Sequence, residues 1–208
     1  GTVYAAHPLG ALTWRYALES GGHGDLGDLA SHGVDLVRFV LGDVSRLVAE
    51  TATFITERPV LEPDTVAYGH GLGSPHAAHG PVENEDYVAA LIRTVSDVLV
   101  TFECSRTAAG DQNNYGIEVH GTTGLVSWDY RSSGELLVSS GDQFSEQPTR
   151  RVIVGPLAGD YARFQPGAAQ PMSYDDTKVI ELAGFVRQVL GGPAEGPGLV
   201  DAVASAVA

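Results

Sequence analysis

Cysteine, lysine and long apolar runs are what this sequence nearly lacks. Cys104 is the sole cysteine of 208 residues, so no intrachain disulfide can form, a usage that suits a cytoplasmic protein. Lys178 is the sole lysine among 12 basic residues, which face 26 acidic ones for a formal charge of -14. A polyanion would be repelled, which argues against nucleic acid and anionic membrane as partners. No apolar run approaches the ~20 residues of a membrane span. No signal peptide opens the sequence; it starts Gly-Thr-Val-Tyr without Met, as a fragment or processed chain would. What is present is a hydrophobic fraction of 43%, enough to fill a core.

The periodicities change along the chain. Thr2 to Pro8 is expected to form a short strand. Asp28 to Leu41 is predicted helical, with Leu29, Gly33, Leu36, Val37 and Val40 on one stripe and Gly42 as its stop. Leu47 to Thr56, rich in β-branched residues, predicts a strand. Glu62 to Asn84, full of Pro, Gly and His, is expected to be a long surface loop. Two strands joined at Val95-Ser96-Asp97 follow, then a hairpin turning at Thr122-Thr123-Gly124, then strands at Glu135–Ser140 and Arg150–Val154. Residues 155–177 lack a pattern. A helix capped by Asp175 or Asp176 is expected to run through Leu190, with Val179, Ala183, Val186 and Val189 or Leu190 inward, and a short Ala/Val helix closes the chain. Helix, a run of about six to eight strands, then helix describes an α+β fold: an open, mainly antiparallel β-sheet with helices on one face. No repeat or linker divides it, so residues 1–208 are taken as a single domain.

Gly22-His23-Gly24-Asp25-Leu26-Gly27 fits the dinucleotide fingerprint G-x-G-x-x-G. That fingerprint needs a buried parallel strand before it and an acidic residue about 20 positions on, at a strand end. The preceding Leu12 to Ser20 carries Arg15 and Glu19, unlike a strand buried on both faces. Asp25 would set its own negative charge against a pyrophosphate, and Glu50 falls mid-strand. With 26 glycines in the chain, the string reads better as a turn at a helix entrance.

Beyond the string, Asp28 and His32 stand four apart, one turn on the same helix face, with Asp35 three further on. A carboxylate beside an imidazole orients it and raises its basicity, as a general base for an alcohol proton requires. An ordinary surface Asp–His pair is the alternative. His70, His76 and His79 have a spacing compatible with zinc, but lie in a Gly/Pro-rich loop without a cysteine partner, so no metal is expected. Cys104, alternating with Phe102, reads as a small buried hydrophobe. No G-x-S-x-G elbow supports a Ser-His-Asp hydrolase.

Taken in order, Trp14-Arg15, the glycine turn, Asp28-Leu29-Ala30-Ser31-His32, Val34-Asp35 and Leu41-Gly42 resemble the second domain of the glucose-fructose oxidoreductase/inositol dehydrogenase (Gfo/Idh/MocA) family. Thr53 to Pro59, Phe102 to Gly110 and Ile117 to Gly124 are similar to its anhydro-sugar dehydrogenase branch. The resemblance implies a missing N-terminal Rossmann domain that binds NAD or NADP, carries a Glu-Lys-Pro segment with the catalytic lysine, and leaves this portion inactive alone. Lys178, near the start of a late helix, is no substitute for that lysine. It implies a sugar or cyclitol substrate, with His32 exchanging the hydroxyl proton and Asp28 binding substrate and orienting the imidazole. By the same resemblance Trp14 and Arg15 lie near the cofactor, Asn113 and Asn114 face substrate, and a homodimer or tetramer forms through the open sheet. Ser96-Asp97 replaces the family's usual Asn-Gly turn. A non-catalytic oligomerisation or ligand-binding module with the same fold is the other function class.

Overall fold

The computed structural model describes residues 3–61, 71–194 and 196–207. The chain divides into two compact units, residues 1–113 with 203–208, and residues 114–202.

In the first unit a three-stranded antiparallel sheet has the order β1 (Val44–Ala52), β4 (Tyr87–Thr94), β5 (Leu99–Ser105). Its register places Leu47, Ile92 and Val100 in one row and Ala49, Ala90 and Phe102 in the next. Side chains alternate between faces along a strand, and Val88 and Ile92 are buried on this side. Helix α3 (Ser31–Leu41) approaches it so closely that a Cβ on Gly33 would lie 2.5 Å from the Phe102 ring. The opposite rows, Val48–Leu91–Thr101 and Arg46–Arg93–Leu99, leave Val48 76% and Leu91 56% exposed. The β4–β5 turn runs through Ser96 and Asp97, with Asp97 at φ 65° and the Thr94 N–H donating to the Val98 carbonyl.

The second unit carries a four-stranded antiparallel meander, β6 (Gly116–Gly121), β7 (Gly124–Asp129), β8 (Glu135–Ser140) and β9 (Arg150–Ile153). Tyr115, Trp128 and Tyr130 meet edge to face with centroids 5.8–6.2 Å apart. The fold is α+β with antiparallel sheets, as the patterning implies; the strands fall into separate ladders rather than one.

Several local expectations are corrected. The segment expected to open as a strand is helical, α1 (Val3–Ala6). The Arg58 guanidinium takes up the carbonyls of Ala5, His7 and Gly10 at 2.6–3.3 Å, so they need no strand partner. β1 stops at Ala52 because the Asp86 Oδ2 captures the N–H groups of Phe54 and Ile55 at 2.8 and 2.9 Å. Within the expected loop, residues 62–70, with His70, lie outside the described residues; beyond them β3 (His79–Pro81) pairs with β2 (Glu57–Pro59). Irregular residues 155–177 include a 3-10 turn at Gly159–Phe164.

The late helix α4 (Tyr174–Val189) is capped by Ser173, not Asp175 or Asp176. Ser173 Oγ accepts from the Asp176 N–H while the Asp176 carboxylate accepts from the Ser173 N–H, a reciprocal capping box. Its expected inward residues are not buried: Val179, Val186, Val189 and Leu190 are exposed, because no described element of the second unit covers that stripe. A short helix, α5 (Leu199–Val207), closes the described chain. No described helix is long and apolar enough to cross a membrane.

Candidate active site

The fingerprint's structural context is not met. A helical turn, α2 (Leu18–Gly21), precedes the glycine string, where a parallel strand would be required. Its glycines answer local demands instead. Gly22 turns with φ 64°, and a Cβ on Gly24 would collide with the Glu85 carbonyl and the Arg106 guanidinium.

The helix begins two residues earlier than expected, and its first turn is wide. Leu26–Ala30 is a π-turn that runs into α3, with the Ser31 N–H reaching back to the Leu26 carbonyl. Such turns are uncommon and are frequent at functional sites. Asp28 sits in the π-turn and His32 in the first turn of α3, so the four-residue spacing crosses the junction of the two geometries. Both side chains are exposed. α3 ends at Leu41, and the Gly42 N–H caps the Arg38 carbonyl at 3.0 Å. At the other end of the segment Trp14 is 59% exposed, with the Arg15 guanidinium 4.7 Å from its ring centroid.

Residues 83–86, which the patterning left undistinguished, hold this segment. The Glu83 carboxylate accepts from the Leu18 N–H at 2.9 Å, and its own N–H donates to the Tyr16 carbonyl at 2.9 Å. Asn84 Nδ2 donates to the carbonyls of Arg15 and Gly22 at 2.8 and 2.9 Å. The Glu85 carbonyl accepts from the Asp25 N–H, and its side chain from the Leu26 N–H at 3.0 Å. Asp86 Oδ1 receives Arg106 Nε at 2.8 Å, and Arg106 also donates to Asn84 Oδ1 at 2.8 Å. The guanidinium groups of Arg58 and Arg106 lie over the Tyr16 ring at 4.3 and 4.8 Å. The available signal was the acidic cluster Glu83-Asn84-Glu85-Asp86 directly ahead of a strand. Nothing in its letters says that it folds inward.

Asp25 points into the protein and is wholly buried. Neither of its carboxyl oxygens has a well-aligned hydrogen-bond partner among the described residues; the Cys104 thiol is its weak donor. Burial pushes the Asp25 carboxyl up to about 6, against the pull of that thiol and of the Arg106 charge. Burial, then the Asp25 charge, pushes the Cys104 thiol up to about 12. Cys104, expected to be buried, is half-buried and is held as a neutral thiol.

The structure thus brings Trp14, Arg15, Asp28 and His32 onto one continuous segment with common supports. Asn113 and Asn114 are exposed in the loop between β5 and β6, at the boundary of the two units, with Asn113 at φ 49°. Among the described residues no group of three or more His, Cys, Asp or Glu side chains is placed to hold a metal.

The chain is similar in sequence and in fold to known proteins. The chain is 32% identical over 199 residues to levoglucosan dehydrogenase of Pseudarthrobacter phenanthrenivorans, covering 95% of this chain and 51% of that protein. A structure of levoglucosan dehydrogenase in complex with NADH and levoglucosan superposes with a TM-score of 0.83 at 29% identity, over 99% of this chain and 51% of the other. An NAD binding oxidoreductase from Klebsiella pneumoniae gives a TM-score of 0.84 at 28% identity, over 99% and 51%. The chain spans about half the length of each of these relatives. With residues 2–127, which contain the glycine turn, the Asp28–His32 helix and its supports, matching the GFO/IDH/MocA C-terminal domain, the chain belongs to that family.

Proposed function

We propose that residues 1–208 form the substrate-side domain of a dehydrogenase that moves a hydride between a nicotinamide cofactor and a secondary alcohol or ketone of a sugar or cyclitol. The observation that carries this reading is the exposed Asp28 and His32 pair at a π-turn whose entrance is held by the half-buried Glu85 at Leu26 and the buried Asn84 at Gly22. A functional pair needs open access and a rigid base, and this one has both.

His32 takes the proton of the substrate hydroxyl as the alcohol is oxidised, and returns it in the reverse direction. Asp28 accepts a hydrogen bond from substrate and orients the imidazole. NAD or NADP, when bound, supplies the hydride acceptor or donor. The residues here fit the edge of such a cofactor: an exposed indole beside a guanidinium offers a flat, cationic surface, so Trp14 and Arg15 would border it. Phosphate binding belongs to a separate Rossmann domain, since no described element of this chain forms a parallel βαβ unit. Asn113 and Asn114 are proposed to contact substrate hydroxyls. The open rows of β1, β4 and β5 are proposed to meet a second copy of the chain.

The test is turnover by the full-length protein carrying this chain, with NAD and with NADP, against levoglucosan and a panel of hexoses and cyclitols. Oxidation of at least one substrate is expected. A folded full-length protein silent across the panel would favour the non-catalytic binding module.

A further inference from the structure

We propose that Asn84 is a positioning residue for the chemistry of Asp28 and His32, acting through the main chain of residues 15–26; this rests on the functional reading above. Asn84 is 2% exposed. Both of its amide donors are aimed at carbonyls of one segment: Arg15, beside Trp14, and Gly22, where the chain turns toward the helix. Its side-chain oxygen is held in turn by Arg106, which Asp86 fixes from the other side. The flanking residues address the same segment in order, Glu83 at Tyr16 and Leu18, Glu85 at Asp25 and Leu26. Asn84 thus spans the interval between the cofactor-facing pair and the entrance to the Asp28 turn.

The physical consequence follows from the fixed placement of the donors. Both bonds are part-buried, so solvent can hydrate the two carbonyls once the donors are gone, but it cannot tie Arg15 and Gly22 to one common partner. The segment then relaxes, and the distance between Trp14-Arg15 and the π-turn is no longer set. A displacement of about 1 Å between reacting groups costs on the order of 100-fold in rate.

The experiment compares Asn84→Asp with wild type in the full-length protein. Aspartate keeps the volume and an acceptor for Arg106 but withdraws both donors. Arg38→Ala is the control: Arg38 lies in the last turn of α3 and bonds Asp43 and Ser205, so its loss lowers stability without removing a bond of the clamp. The expected result is a fall in kcat of about 10- to 100-fold for Asn84→Asp, with Arg38→Ala within twofold of wild type at a comparable loss of Tm. Asn84→Ala takes the place of the aspartate variant if that does not fold. A kcat within twofold of wild type overturns the proposal. If wild type itself turns nothing over, the functional reading fails separately, and amide exchange at residues 16–26 decides the clamp. Exchange accelerated tenfold or more in Asn84→Asp supports it; unchanged exchange overturns it.

Discussion

Arg106 donates from Nε to Asp86 Oδ1 at 2.8 Å, and both side chains are buried. A buried pair broken on one side leaves an uncompensated charge, a loss of about 3–5 kcal/mol. Arg106→Ala is therefore expected to destabilise the chain by that order in urea unfolding. Removing Arg131, whose pair with Asp129 is largely solvated, should cost far less. Equal losses for the two arginines would show that burial of the Arg106 pair is not what matters.

Asp25 predicts a pH dependence of unusual sign. Its folded carboxyl titrates at about 6, above the ordinary 3.8, chiefly because it is buried. Cys104 and Arg106 oppose the shift; Glu85 and Asp86 add to it. In the window between 3.8 and about 6 the folded chain holds a proton that the unfolded chain has released. This group's contribution is therefore full below pH 4 and is lost as pH rises toward 6, by up to about 3 kcal/mol. Asp25→Asn should flatten the stability profile across that window relative to wild type. Parallel profiles for the two proteins, followed by denaturant unfolding from pH 4 to 7, would refute it.

The open sheet face makes a claim about association. Val48 and Leu91 are neighbours across β1 and β4, and both are exposed. A charge placed between two such faces is costly, so Leu91→Glu should weaken self-association at least tenfold in sedimentation equilibrium. Sedimentation of the wild-type chain at its monomer mass of 21.8 kDa at all concentrations would remove the second copy from the account.

Much of this fold is legible from alternation and breakers. β4 and β5 and their turn, the β6–β7 hairpin and the end of α3 at Gly42 follow from local pattern alone. What was not legible depends on partners distant in sequence. Arg58 donates to the carbonyls of Ala5 and His7 in the segment expected to be a strand, and Asp86 ends β1 by capturing two N–H groups. The stripe on α4 is apolar in sequence yet uncovered by the described elements of its own unit, because periodicity marks a face without naming what covers it. At the candidate site, the proposal of Asp28 and His32 rests on spacing and on the family resemblance, whereas the buried placement of Asn84 was not legible: an asparagine among acidic residues looks like a solvated loop.

The most direct measurement is the turnover of His32→Ala in the full-length protein, alongside its affinity for NADH. Loss of a positioned general base should lower kcat by about 100-fold or more, with NADH affinity unchanged if His32 has the proposed role toward substrate rather than toward the dinucleotide. An unchanged kcat would contradict the assignment of His32 to the chemistry.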